Sequence, residues 1–87
     1  MKKFIRNSEI AWREIEGTAY LVDPSSSMLS ELSESGTHIW KLLGKPRSIE
    51  EIADDISGTF EVDYSTAFND SSEFLSELQK KKLVINQ

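Results

Sequence analysis

The hydrophobic pattern in the first third of the chain is that of short strands. Apolar and β-branched residues recur in two runs, "IAWREI" and "TAYLV", on either side of Glu16-Gly17. Glycine adopts positive φ without a steric penalty, so this pair predicts a tight turn. A second turn, "DPSSS", leads to a third predicted strand, Met28–Leu32. We therefore expect a small three-stranded antiparallel sheet.

From residue 33 onward, apolar side chains recur at spacings of three and four, which indicates helices. The first predicted helix begins near Glu34, is capped by one of the serines on either side of that residue, and ends at Gly44. The second begins with a capping box, in which the Ser48 side chain accepts from the main chain of Glu51 and the Glu51 side chain reaches back. Gly58 is expected to end this second helix.

The third predicted helix is the longest. Its N-cap is Asp63 and its end lies near Lys82. The connector before it, "TFEV", is expected to be extended with Phe60 and Val62 pointing inward, and residues 83–85 are expected to form a short strand or an extended tail. Three strands followed by three helices predict an α+β fold with a winged helix-turn-helix-like shape.

Composition limits what such a fold can do. Residues 1–87, of which 38% are apolar, are expected to form a single domain with one modest core and no deep cavity. Cysteine is absent and there is one histidine, which excludes thiolate chemistry and a histidine metal cluster. No apolar run approaches the roughly 18 residues of a membrane span, and the N-terminal stretch does not have the pattern of a signal peptide. We expect a soluble, cytoplasmic protein that does not bind membranes.

The acids of the second helix and the single histidine are the side chains that invite a chemical interpretation. Glu50 and Asp54, like Glu51 and Asp55, are four residues apart and could share a metal ion. Acids at a helix start and on its outer face are more often solvated, and we adopt that interpretation. His38 has no nucleophile or acid partner close in the sequence and is interpreted as structural. We therefore expect no catalysis, no metal and no cofactor.

Three binding functions remain open on the residues alone. The third helix could enter DNA as in winged-helix transcription regulators, but residues 61–79 contain five acids and no Lys or Arg, which phosphates would repel. The sheet could instead accept an extended peptide at a free edge, or a second copy of the chain to form a homodimer. The chain could also dock onto a larger enzyme as a structural subunit.

Two stretches of the chain resemble the PqqD family. "MLSELSESGTHIWKLLGKPRSIEEIADDI" shows the family's short strand, glycine, Ile-Trp pair, leucine pair and Glu-Glu-Ile, and "VDYSTAFNDSSEFLSELQKKKLV" resembles its closing helix and strand. The resemblance covers roughly Thr18 to Val84. Its most specific residues are Gly36, Ile39, Trp40, Leu42 and Leu43, followed by Ser48, Glu51 and Ile52.

The resemblance implies a RiPP recognition element, a non-catalytic module that holds the leader of a ribosomally made precursor peptide and presents the precursor to a modifying enzyme. The implied enzyme is a radical-SAM protein, as in the biosynthesis of PQQ, or a peptidase or cyclase, as in lasso-peptide pathways. No nucleic acid is implied. In the family, the leader lies along the third strand and in the groove between that strand and the third helix. Carried over to this chain, the peptide-binding residues are Met28, Leu29, Ser30, Glu31 and Leu32 in the strand, and Ala67, Asp70, Ser71, Phe74, Leu75 and Leu78 in the helix.

The chain departs from the family pattern at the presumed docking strand. Ser30 and Glu31 make this strand more polar than is usual in the family, which would either weaken peptide binding or select a leader with a basic residue opposite Glu31. A core position is an equally open interpretation for Leu75 and Leu78. The precursor, the enzyme and the product are not specified by these residues.

Overall fold

The computed structural model describes residues 2–24, 27 and 29–87. Two serines of the predicted second turn, Ser25 and Ser26, and the first residue of the predicted third strand, Met28, lie outside the described residues. The fold is α+β, as predicted. Its elements are β1 (Phe4–Arg6), β2 (Trp12–Ile15), β3 (Thr18–Val22), β4 (Leu29–Glu31), α1 (Glu34–Leu42), α2 (Ile49–Phe60), α3 (Tyr64–Lys80) and β5 (Val84–Asn86).

The predicted sheet is formed by β2, β3 and β4, which are antiparallel and lie in that order. Glu16 and Gly17 make the turn between β2 and β3, with φ of 50° and 82°. Trp12 pairs with Leu21, and Leu21 pairs with Ser30 on the other side. Leu21 is fully buried, so the sheet face that carries this row of side chains is the one that packs against the helices.

A second, two-stranded sheet joins the two ends of the chain. β1 and β5 are antiparallel, with Phe4 opposite Asn86. Phe4 also exchanges both main-chain hydrogen bonds with Arg47, at 2.7 and 2.9 Å. The C-terminal segment is therefore a strand, the first of the two alternatives left open above. No strand was expected at the N-terminus, because β1 has only three residues and its partners lie more than forty positions away.

All three helices begin where the capping residues predicted. Ser33 is the N-cap of α1, where its hydroxyl accepts from the main-chain nitrogen of Gly36 at 3.1 Å. Ser48 and Glu51 form the predicted capping box at the start of α2. Asp63 is the N-cap of α3. Because each cap is satisfied within three or four residues, these helix starts were local properties of the sequence.

The predicted ends of the two later helices differ from the structure. α2 continues through Gly58 to Phe60 and ends at Glu61, which has left-handed φ of 55°. Glycine inside a helix costs roughly 1 kcal/mol relative to alanine but does not break the hydrogen-bond ladder, so the prediction that Gly58 ends α2 was wrong. α3 ends at Lys80, two residues before the predicted end at Lys82.

The hydrophobic core lies between the three-stranded sheet and the helices. At its centre the ring of Trp40 is fully buried and meets the ring of Trp12 edge-on, with centroids 6.1 Å apart. Other fully buried side chains come from the sheet, from the C-cap of α1, from α2 and α3, and from the segment that precedes β5: Leu21, Leu43, Ile52, Leu75 and Leu83. Among the described helices, none combines the length and hydropathy that crossing a membrane requires.

Candidate functional site

β4 forms one edge of the three-stranded sheet, and its register decides which of its main-chain groups are free. The main-chain nitrogen of Leu32 donates to the carbonyl of Ala19 in β3 at 3.0 Å. Residues in an antiparallel pair alternate in direction, so Ser30 also turns its main-chain groups toward β3. Leu29 and Glu31 turn theirs the other way. No described strand pairs with that outer side of β4, which we call the open edge.

The side chains of the predicted docking strand point to both faces of the sheet. Leu29, which is 68% exposed, and Glu31 point to the outer face, away from the helices. Ser30 and Leu32 are partly buried, and Leu32 packs against the core. Met28 lies outside the described residues. The strand therefore offers a ligand mainly its main-chain groups, since its side chains do not form a continuous apolar row.

A groove of about 580 Å³ lies beside the end of β4, between the start of α1, the end of α2 and the length of α3. We call it the α1–α3 groove. Ser33 and Gly36 line it at the β4 end, and Ile56 and Phe60 line it on α2. The family resemblance placed a groove between the third strand and the third helix, but no residue of β4 is among those that line this groove. The groove opens near the end of β4 because Ser33, which lines it, follows that strand by two residues.

The ring of Phe74 lies against α1 at the position of Gly36. A Cβ atom on Gly36 would be 3.2 Å from two ring carbons of Phe74 and 3.1 Å from the hydroxyl of Ser33. These distances are closer than ordinary van der Waals contact, so the absence of a side chain at Gly36 is what lets the ring approach the helix. Phe74 is partly buried and packs against the core, which gives the groove an aromatic floor.

The predicted ligand residues of α3 divide into two groups. Asp70, Ser71 and Phe74 line the α1–α3 groove. The others lie in the hydrophobic core, with 1–3% of their surface exposed: Ala67, Leu75 and Leu78. Their side chains fill the space between α3 and the rest of the core and offer almost no surface to a ligand.

Every charged residue that the structure describes in the lining of the groove is acidic. Asp70, Glu73 and Glu77 of α3 line it, and Glu31 and Glu34 stand on either side of the β4–α1 junction. Within the part of the chain that the structure describes, none of these five carboxylates forms an ion pair. This negative charge would repel a nucleic-acid backbone and opposes DNA binding through α3.

His38 has an acid partner that its sequence neighbourhood did not indicate. Its Nε2 lies 2.6 Å from a carboxylate oxygen of Asp55 on α2, and the same oxygen accepts from the hydroxyl of Thr59 at 3.2 Å. The His38 ring also meets the ring of Phe60 edge-on, with centroids 5.6 Å apart. The pair therefore joins α1 to α2 and holds an aromatic wall of the groove. No group of three potential metal ligands is assembled anywhere in the described residues.

Two groove residues, Phe60 and Val62, were expected to point into the core. Phe60 is partly buried and Val62 is 38% exposed, and both line the groove. Phe60 follows Ile56 by four residues, which is the spacing of one helical face. That signal was present in the sequence, but ending α2 at Gly58 concealed it.

The fold and the open edge define a class of protein: a small α+β domain in which the outer edge of one strand is unpaired beside a groove between helices. The family model described as coenzyme PQQ synthesis protein D (PqqD) matches residues 18–84, and the chain belongs to this family. Among curated proteins, none matches the sequence.

Solved structures share the fold over nearly the whole chain. TbiB1 in complex with the TbiA(beta) leader peptide is 29% identical, with a TM-score of 0.80 over 92% of this chain and 93% of that one. A lasso peptide synthetase B1 complexed with its leader peptide is 20% identical, with a TM-score of 0.80 over 94% and 96%. The PqqD truncation of Methylobacterium extorquens PqqCD, a stand-alone RiPP recognition element solved by NMR, is 18% identical, with a TM-score of 0.76 over 95% and 88%.

Proposed function

We propose that this chain is a non-catalytic adaptor that binds the leader of a ribosomally synthesised precursor peptide by strand addition and presents it to a modifying enzyme. Residues 1–87 act as one peptide-binding domain in this proposal. The observation that carries it is the orientation of β4, whose residues Leu29 and Glu31 direct their main-chain groups away from the sheet, beside the α1–α3 groove.

Strand addition uses these groups directly. A peptide in extended form hydrogen-bonds to the N–H and C=O of Leu29 and Glu31, and it becomes a fourth strand of the sheet. Alternate side chains of the peptide then point to opposite faces. One set enters the α1–α3 groove over Phe74. The other set lies on the outer face of the sheet, next to the exposed side chain of Leu29.

Membership of the PqqD family and the likeness to TbiB1 support a leader peptide as the ligand. TbiB1 binds the TbiA(beta) leader and matches this chain at 29% identity over nine tenths of both lengths. The modifying enzyme is a radical-SAM protein in a PQQ-type pathway, or a peptidase or cyclase in a lasso-peptide or other RiPP pathway. The open edge that takes the leader also suits a second copy of the chain, so a homodimer through β4 would compete with the peptide.

An NMR titration of the ¹⁵N-labelled full chain tests the proposal. The probes are the TbiA(beta) leader and a leader encoded beside this gene. Binding by strand addition moves the amide signals of Leu29 and Glu31 together with those of α3 around Phe74. Saturable binding of the leader that leaves both sets of amides unmoved overturns the proposal. Light scattering of the free chain, compared with the complex, shows whether a dimer through β4 dissociates as the leader binds.

A further inference from the structure

The acidic residues of α3 that line the α1–α3 groove form a continuous row. Asp70, Glu73 and Glu77 are spaced by three and four residues, so their carboxylates lie on one face of the helix. Among the described residues, no basic one lines the groove with them. Like charges at this spacing repel one another in the free protein, and a cation between them removes that repulsion.

The same groove holds a buried polar atom without a partner. The side chain of Ser71 is fully buried and lines the groove, and its hydroxyl forms no hydrogen bond with any described residue. Buried hydroxyls are normally satisfied. A serine in a helix could have bonded to a carbonyl of the preceding turn, but this one does not. It is available to an N–H donor that enters from the groove.

The apolar surfaces of the groove determine which donor fits. The ring of Phe74 lies beside Ser71, and Ile56 and Phe60 face it from α2. A ligand side chain must therefore be apolar along its length and positively charged at its end. Lysine and arginine have this form, because their methylene stems pack on apolar surface while their heads reach polar groups. An aliphatic side chain would leave Ser71 unpaired, and an acidic one would be repelled.

We infer that the leader recognised by this chain places a lysine or arginine side chain in the α1–α3 groove, with its stem on Phe74 and its charged head among Asp70, Glu73 and Glu77, within reach of the Ser71 hydroxyl. This inference rests on the proposed function, since it concerns the peptide that adds to β4. It assigns selectivity for a basic position to α3, whereas the open edge supplies affinity for any extended chain.

Selection from a random peptide library tests the inference without knowledge of the natural precursor. The immobilised full chain is used to select from 15-residue peptides displayed on phage, and selected peptides are synthesised for titration. Peptides that move the amides of Leu29 and Glu31 are expected to share a Lys or Arg at one fixed position. Peptides that move these amides but share no basic position overturn the inference and leave the proposed function intact. A library that yields no peptide acting on β4 overturns both.

Substitution of the three groove acids provides a second test of the inference. The triple variant Asp70→Asn, Glu73→Gln, Glu77→Gln is expected to bind a selected basic peptide about tenfold more weakly, because three exposed charge contacts are lost. The matched control removes three exposed acids outside the groove: Glu9→Gln, Glu16→Gln and Glu50→Gln. It has the same net charge and is expected to change the affinity by less than about twofold. Equal effects of the two triples would assign the preference to net charge and overturn the inference.

Ser71→Ala separates the buried hydroxyl from the rim charges. Alanine removes only the unpaired oxygen, so this variant is expected to fold at least as stably as the parent. Its affinity for a basic peptide is expected to fall, while the affinity for the same peptide with norleucine at the basic position stays unchanged. An equal loss of affinity for both peptides overturns the role given to Ser71.

Discussion

The side-chain hydroxyl of Thr37 accepts a hydrogen bond from the main-chain nitrogen of Ala19 at 3.0 Å, and both residues are buried. Ala19 lies on the side of β3 that faces β4, beside the point at which β4 ends. The Thr37 hydroxyl thus provides the acceptor that a longer β4 would have provided. It ties α1 to the sheet, and this contact positions the start of α1 next to the open edge.

Replacing Thr37 by valine tests this connection. Valine keeps the shape of the side chain but leaves the main-chain N–H of Ala19 buried without an acceptor, which is expected to cost about 1–3 kcal/mol of the free energy of unfolding. Urea denaturation followed by circular dichroism gives the value. Thr37→Ser keeps the hydroxyl and is the control. A valine variant as stable as the parent would show that Ala19 finds another partner.

The acidic caps of α2 and α3 make stability depend on pH in the acid range. Hydrogen bonds from Ser48 hold the pKa of Glu51 below its usual value, and hydrogen bonds from Thr66 do the same for the pKa of Asp63. A carboxyl group with a lowered pKa in the folded state stabilises the fold above its unfolded pKa, and this contribution is lost as the pH falls through the folded value. Stability is therefore expected to decrease below about pH 4.5, the ordinary pKa of Glu51.

Thermal melts from about pH 7 to about pH 3 check this expectation. The comparison variant is Glu51→Gln with Asp63→Asn, which keeps hydrogen-bond acceptors at both caps but removes the charges. The parent is expected to be the more stable of the two at neutral pH, and the difference is expected to shrink in acid. A constant difference over the whole range would mean that the two carboxylates do not contribute through their charge.

Two glycines in helices are expected to respond to alanine in opposite ways. A Cβ atom at Gly36 would meet the ring of Phe74 at 3.2 Å, whereas a Cβ atom at Gly58 would have no atom of a described residue within 4 Å. Gly36→Ala must move the ring and disturb the cap at Ser33, so it is expected to weaken leader binding. Gly58→Ala should raise the stability by about 0.5–1 kcal/mol, because alanine favours the helix, and should leave binding unchanged.

Titration calorimetry with the leader, together with melting curves, distinguishes these outcomes. If Gly36→Ala bound the leader as tightly as the parent, the position of the Phe74 ring would not affect the affinity for the leader. If Gly58→Ala were less stable than the parent, an unobserved contact at α2 would be needed to explain it.

The features that the sequence predicted well are those decided within a few residues. The caps at Ser48 and Asp63 each depend on hydrogen bonds within three residues, and the turn at Gly17 depends on positive φ at two neighbouring residues. The pairing of β1 with β5 and the contact of His38 with Asp55 depend on residues far apart in the sequence, and no local pattern indicates either.

The features of the candidate site also differ in how far the sequence could predict them. The family resemblance is the basis for proposing a site beside β4 and α3, whereas the free main-chain groups depend on the register between β3 and β4. Helical spacing placed Phe74 and Leu78 on related faces of α3, and only the packing shows that the first lines the groove and the second fills the core. The unpaired hydroxyl of Ser71 has no sequence signal at all.

The main-chain donor of Glu31 can be removed without breaking the existing sheet. Its N–H points to the open edge, so Glu31→Pro deletes a group that the ladder between β3 and β4 does not use. Leader binding is expected to weaken about tenfold or more, because one hydrogen bond is lost and the proline ring stands where the added strand must lie. The melting temperature should stay close to that of the parent.

Two controls separate the loss of the main-chain donor from the loss of the Glu31 charge and from damage to the sheet. Glu31→Gln removes the charge but keeps the N–H, and it should bind a leader without a basic residue opposite this position as the parent does. Ser30→Pro deletes an N–H that bonds to β3, so it should lower the melting temperature as well as the affinity. If calorimetry showed parental affinity for Glu31→Pro, the leader could not dock as a fourth strand on β4.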